Sequence, residues 1–509
     1  MSGALDPRGR APGSTIEAAP LAECWDDLVA TAMLGTDRRP LPPPPHGPLA
    51  RFGGDGDPAL ALLDRAAAVQ AVLRAGALPE DAGDPLAPCP ADPRVPCSGA
   101  VAHRLGRMLE GGPADLLPEW LHTVCRLDLA VPPEHLVRLM DRTRSDPELY
   151  RLVVAAGGPL VGWMAGVLPG LGWAAPIQRD PVELWEKGAP SDRLEALRRL
   201  RLDDAATARS LLATGLPGER AELRVSCYAT LAIGLGPADE PVLEHALDDR
   251  SGSVREVAAG LLARLPASAW ARRMTERAMA MVRVVGPPGQ DRLEISLVAP
   301  IPPAWERDGV SAAAPAGTSL SVHAFRQVIA GTPLDAWDAV ASPPHLVVLA
   351  AEHELGPVLV AAWSTAASRQ QDQVWARMLL EESGDPTLVS VLTAEDVHRL
   401  AARLATAESV LTPLALAAFE AMTPPWDDEL RRAAAQAVVA LFFERRAGRH
   451  QVPSLRRLAR ALDPGLLPEV ADELAVMGLP PPIDGVRDDL VTLMRFRAEM
   501  LEEIVESAT

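Results

Sequence analysis

The sequence predicts a mainly α-helical protein whose helices stack as pairs. Three observations carry this. Apolar residues make up 48% of the chain but aromatics only 4%, so the apolar content is largely Ala, Leu and Val, which favours helices over sheets. Apolar residues recur at helical spacing through most of the chain. Between 190 and 266 a register of 31 residues is visible: Arg193, Arg224 and Arg255, then small Ala196, Cys227 and Ala258, then Leu200, Leu231 and Leu262. Each unit leaves room for a second helix, such as Glu240 to Leu247. A helical pair cannot bury its apolar face alone, so neighbouring pairs stack, giving a HEAT-like α-solenoid.

The elements follow in order. Residues 1–20, rich in Gly, Pro and Ala, read as a disordered tail, and 21–180 as an N-terminal helical region. Its opening helix sets Trp25, Leu28, Val29, Ala32 and Met33 on one apolar stripe. Gly35 sits where a helix ends, and Pro40 with LPPPPHGP (41–48) makes a stiff connector. Residues 58–76 read as helix and 77–98 as loop. LPEWLHTVCRL and PPEHLVRLMDRTR, after 115, begin helices with prolines at their first turns. The HEAT-like repeats occupy 181–280. A β-hairpin around 281–300 and a loop make an insertion over 281–340, where Gly-Pro-Pro-Gly divides two alternating runs. Residues 341–509 form a C-terminal helical region, with breaks near 342–344, 412–413, 424–425 and 480–482.

Residues 152–177 carry no charge and are long enough to span a bilayer. Six glycines and three prolines split the run, so it reads as two short helical pieces buried between helices. The five cysteines, Cys24, Cys89, Cys97, Cys125 and Cys227, are odd in number and sparse, which points to a reduced, cytoplasmic setting. The net charge of −19 repels nucleic acid and anionic lipid, so neither is an expected partner. The pairs Arg198-Arg199, Arg272-Arg273 and Arg445-Arg446 read as solvated helix faces.

A search for chemistry finds no catalytic, cofactor or metal constellation. Lys187 is the only lysine, in no nucleotide-binding or Schiff-base motif. Cys89 and Cys97 are separated by seven residues and lack an accompanying histidine pair. His353-Glu354 begins like a zinc-protease helix, but position 357 is Pro rather than His. His122 and Cys125 share a helix turn and read as a thiol beside a packed imidazole. Carboxylate pairs at 26–27, 203–204, 248–249 and 427–428 read mostly as helix starts.

Three stretches, WDDLVATAMLGTDRRPLP, the run over 184–274 and AWERDGV (304–310), resemble an uncharacterised bacterial family known only as a domain of unknown function. The resemblance covers most of 21–380 and the remainder more loosely; 152–177 departs from it in its Gly and Pro content. It implies gene neighbours of the MoxR-type AAA ATPase, von Willebrand factor A and SWIM zinc-finger kinds. That context implies an adaptor in an ATPase-centred system, with an AAA ATPase or a von Willebrand factor A protein as partner; the 31-residue register, the acidic charge and the lack of a catalytic constellation point to a non-enzymatic scaffold that binds a protein. The candidate partner-contact or junction residues are Trp25, Gly35, Thr36, Asp37, Arg38, Arg39, Trp305, Arg307 and Asp308. The alternative is an enzyme, or a protein responsive to nucleotides or metabolites, with a site made by loops 36–39 and 305–308, where arginines would clamp phosphate or carboxylate.

Overall fold

The computed structural model describes residues 18–43, 49, 51–52, 56–76, 86–143, 146–168, 180–214, 216, 218–287, 289–311 and 313–509. The first 17 residues of the expected tail, part of the proline connector and the end of the 152–177 run lie outside them. The described chain is mainly helical with two small sheets, and it divides into two compact units, 1–88 and 89–509.

In the first unit α1 (Ala18–Leu34) packs against α2 (Pro58–Gly76). Their core is Leu28, Leu49, Leu62 and Val69, with Cys24 and Trp25 against it. The expected stripe on α1 is only partly buried. Val29, Ala32 and Met33 are exposed, whereas polar Thr31 is fully buried. Thr31 tolerates this because its hydroxyl donates to the Asp27 carbonyl one turn back, at 2.9 Å.

The second unit opens with β1 (Val95–Pro96), α3 (Gly99–Leu109), α4 (Leu117–Arg126), β2 (Leu129–Ala130), α5 (Pro133–Thr143) and α6 (Pro147–Val167). β1 and β2 pair in parallel. Then come α7 (Pro181–Lys187), α8 (Pro190–Asp203), α9 (Ala205–Thr214), α10 (Ala221–Ala229), α11 (Glu240–Ala246), α12 (Gly252–Leu262) and α13 (Ala269–Met281). The expected hairpin is present as antiparallel β3 (Val282–Val285) and β4 (Arg292–Ile295). Within the expected loop lies a short α14 (Pro303–Arg307), followed by α15 (Leu320–Gly331), α16 (Pro343–Ala351), α17 (Gly356–Gln370) and α18 (Gln373–Ser383). The chain continues through α19 (Ala394–Leu404), α20 (Pro413–Ala421), α21 (Asp428–Phe443), α22 (Val452–Ala461), α23 (Leu467–Ala475) and α24 (Pro481–Ser507). Prolines at 343, 413 and 481 stand at first-turn positions, where the missing N–H costs nothing.

Helices pack on the helix two places along: α8 on α10 on α12, α13 on α15 on α17, α20 on α22 on α24, with α9 on α11 and α19 on α21 on α23 beside them. The 31-residue register has a structural counterpart. Ala196, Cys227, Ala258, Leu231 and Leu262 are fully buried, and Leu200 nearly so. Arg193 pairs with Glu219, and Arg224 donates to the Glu219 carbonyl while gripping both Asp249 oxygens at 2.8 and 2.7 Å. Arg255 donates to the Asp249 carbonyl (2.8 Å) and the Glu306 carbonyl (3.1 Å). Each inter-helix turn is thus held by the arginine before it and the arginine after it.

The last helix returns to the first helices of the unit. Arg497 pairs with Glu119 at 2.7 Å and donates to the Ala459 and Leu462 carbonyls. Arg104 of α3 pairs with Glu499 and Glu503, Arg456 with Asp115, and the Ser98 N–H donates to the Ser507 hydroxyl.

α6 is long and apolar enough to cross a membrane by length and composition. As far as it is described it is two helical pieces meeting at a kink, as expected, but only partly buried: Val153, Ala156 and Val161 lie in the core, while most of the run is half-buried or exposed. At the kink Gly158 adopts φ +52°, ψ −138° and Pro159 withholds an N–H. The carbonyls released there find new donors: Arg94, pinned by Asp92, donates to Ala155 at 2.7 Å, and the Val131 N–H donates to Ala156 at 3.1 Å. A Cβ on Gly158 would lie 2.2 Å from the Arg94 guanidinium. Gly158→Ala is therefore expected to cost about 2–3 kcal/mol, read as a lowered urea midpoint. An unchanged midpoint would contradict this account of the kink.

Candidate functional site

The AWERDGV stretch builds a charged corner. Pro302 and Pro303 start α14, and Gly309 ends it at φ +82°. Any side chain at 309 would meet the Ala259 methyl at 2.6 Å and the Arg255 carbonyl at 2.9 Å, so glycine lets this turn lie directly on α12. Trp305 lies beneath the Arg277 guanidinium, 5.3 Å from centroid to carbon. Asp308 is 2% exposed. Its carboxylate accepts from Arg273 (2.7 and 3.0 Å), Arg277 (2.5 Å) and Arg307 (3.3 Å), and its carbonyl accepts from the Trp270 indole at 3.0 Å.

Glu244 pairs with Arg273 and Arg307, and Asp248 pairs with Arg307 at 2.7 Å. Three guanidiniums therefore meet three carboxylates. The hydrogen bond from Arg307 holds Asp248 below the usual carboxylate range. The hydrogen bond that Arg273 donates to Asp308 raises Arg273, while burial lowers Arg277 against the pull of Asp308. Such a network fixes α13 and α14 to α11. Arg273 was expected on a solvated face. It pairs inward instead, and the 248–249 pair binds Arg307 and Arg224 rather than serving only as a helix start. Asp26 and Asp27 likewise sit inside α1, not at its start.

In the first unit Trp25 is half-buried and Gly35 closes α1 at φ +83°, its N–H reaching the Thr31 carbonyl at 2.9 Å. The Gly35 carbonyl accepts from the Arg38 and Arg39 N–H groups at 3.1 and 3.0 Å. Thr36 is half-buried, and Asp37 and Arg38 are exposed. Arg39 turns back to Asp27 on the preceding helix, at 2.7 Å, rather than to Asp37 or a following helix. The joint site expected from 36–39 and 305–308 draws on two separate units, each described by itself.

A family model matches the sequence from residue 27, inside α1, to residue 504, near the end of α24. The chain belongs to DUF5691, a family of unknown function. No curated protein and no solved structure matches it. The family match extends well past residue 380, so the C-terminal helices belong to the same family unit as the AWERDGV corner.

Other candidate residues in this DUF5691 chain are placed as follows. Among the described residues, no three His, Cys, Asp or Glu side chains group as metal ligands. His353 accepts the Leu355 N–H through Nδ1, and Pro357 lies in the first turn of α17. The Cys125 thiol donates to the Leu152 carbonyl, and burial raises it. Burial pushes Cys97 and Cys227 up to about 11. Both are expected to alkylate in the native protein at pH 8 at least tenfold more slowly than after unfolding, by mass spectrometry with iodoacetamide. Equal rates would contradict their burial.

Sequence reasoning missed a pocket of about 220 Å³ beside the corner, between α12, α15, α17 and the 308–310 turn. His323, Arg326 and Gln327 line it from α15, and Thr365 and Arg369 from α17. The i, i+3, i+4 and i, i+4 spacings were visible, but only the fold sets the two rows facing each other.

Proposed function

We propose that this DUF5691 chain is a non-enzymatic scaffold, a HEAT-like α-solenoid of helical pairs that binds a protein partner in the cytoplasm. The observation that carries this reading is the saturation of Asp308. The most buried charge of the AWERDGV stretch is taken up by three guanidiniums of the chain itself. Packing of many helices on the one two places along, with arginines holding the turns at 219 and 249, supports the helical-array part of the reading. A net charge of −19 favours a partner with a basic surface. The family context implied by the sequence resemblance makes an AAA ATPase or a von Willebrand factor A protein the first partner to test, and Trp25 with Gly35–Arg39 the first surface to alter.

The test is affinity purification of the tagged full chain from its native host, with quantitative mass spectrometry at low and high salt. A protein recovered in stoichiometric amount, lost as salt rises and reproduced with purified components, is the expected result. Recovery of none would overturn the proposal. Arg38→Ala with Arg39→Ala should weaken the recovery if that corner is the contact.

A further inference from the structure

Two arginines of the pocket beside the corner, both exposed to solvent, differ from those of the corner in having no carboxylate partner. At the corner each guanidinium has a carboxylate. Arg326 and Arg369 have neither a hydrogen bond nor an ion pair among the described residues, yet both face the same small cavity. They are close enough that Arg326 helps hold Arg369 below the usual arginine range, after desolvation, and the same two causes lower His323. Two like charges lining one concavity repel each other, and an anion between them relieves that repulsion while leaving their outer faces in water. Of the lining carboxylates, Asp308 is already taken by its three arginines, and exposed Glu256 faces His323 as the weakest of the influences on it.

We propose that this pocket binds a phosphate group, with Arg326 and Arg369 as its cationic clamp and His323 as a further donor. A tetrahedral dianion offers enough acceptors for two guanidinium forks and an imidazole at once, whereas a carboxylate offers one plane and one charge. A volume of about 220 Å³ admits the phosphoryl head and a few ester atoms. It is below the roughly 300–1,000 Å³ that whole small-molecule ligands occupy, so the rest of a larger phosphate monoester stays outside. The site requires no protein partner, so its failure and that of the scaffold reading are separate results.

The test is isothermal titration calorimetry on the full chain at pH 7.5 with inorganic phosphate and, separately, O-phosphoserine, ionic strength held constant with chloride. The expected result is saturable binding of one equivalent, weakened at least tenfold in Arg326→Gln and in Arg369→Gln and unchanged in Arg292→Gln, an exposed arginine of the hairpin. Should a glutamine variant fail to fold, Arg326→Lys and Arg369→Lys replace it, and a loss of several-fold is expected because a point charge replaces a fork. Competition by O-phosphoserine identifies a monoester ligand, and binding of inorganic phosphate alone identifies free phosphate. No saturable binding of either, or equal binding in the pocket variants and the wild type, would overturn the proposal.

Discussion

Asp308→Ala is expected to destabilise the second unit by about 3–5 kcal/mol, the cost typical of removing one partner from a buried ion pair. The carboxylate is 2% exposed and serves three guanidiniums. Without it Arg273 and Arg307 keep Glu244 and Asp248, but Arg277 keeps no charged partner, only the Ala304 carbonyl at 3.3 Å, the Met274 sulfur at 3.7 Å and the Trp305 ring. Arg277 has 12% of its side chain exposed, so water cannot readily replace what is lost. Trp270 and Trp305 flank the corner and report its state by fluorescence during urea unfolding. Asp308→Asn should cost less, because one acceptor oxygen survives. A loss below about 1 kcal/mol for alanine would mean the guanidiniums are solvated, contrary to the packing described.

Arg201→Met is expected to have an effect of similar size, again about 3–5 kcal/mol. Arg201 and Asp239 expose 0% and 1% of their side chains. Arg201 donates to both Asp239 oxygens at 2.8 and 2.9 Å and to the Leu231, Ile233 and Gly234 carbonyls. It thereby closes the turn after α10 onto α8. Methionine fills the volume but leaves Asp239 with Arg209 and the Gly236 N–H, and three carbonyls without their donor. The pH dependence follows from Asp239. Burial pushes its carboxyl up, but hydrogen bonds from Arg201 and Gly236 pull it further down, so the folded value lies below the ordinary one. Its contribution is complete above the unfolded carboxylate value of about 3.9 and is lost as pH falls through the lower folded value. In Arg201→Met the strongest lowering influence is gone, so acid unfolding should begin at higher pH than in the wild type, by circular dichroism. An identical acid midpoint would sink this assignment.

Helix formation was legible in the sequence because it rests on local spacing. The 58–76 helix, the first-turn prolines and the Arg193, Arg224 and Arg255 register follow from residues at most a few dozen apart. The hairpin was legible because Gly-Pro-Pro-Gly interrupts two alternating runs. The burial of α1 was less so. Periodicity marked Val29 and Met33 as apolar, but it cannot say which face meets α2, and Thr31 took that place. The role of the corner was hidden for a different reason. Asp308 is 31 to 35 residues from Arg277 and Arg273, and Asp248 is 59 from Arg307. An arginine pair such as 272–273 looks the same in sequence whether it faces water or a buried carboxylate. The pocket was invisible for the same reason, since its two rows come from helices that the fold alone brings together.

The return of α24 to α3 and α4 bears on the order in which the second unit forms. Arg497 and Glu119 are 378 residues apart, and Ser98 and Ser507 are 409 apart. Closing a flexible loop of that length costs roughly 5 kcal/mol in chain entropy. Neighbour-on-neighbour packing, by contrast, needs only short loops and is fast. The joint therefore forms late, after the intervening helices have shortened the distance between its halves. On a ribosome α3 and α4 emerge long before α24, so Arg104 waits for Glu499 and Glu503 with its guanidinium still hydrated. The helices between serve as the template that delivers one half of the joint to the other.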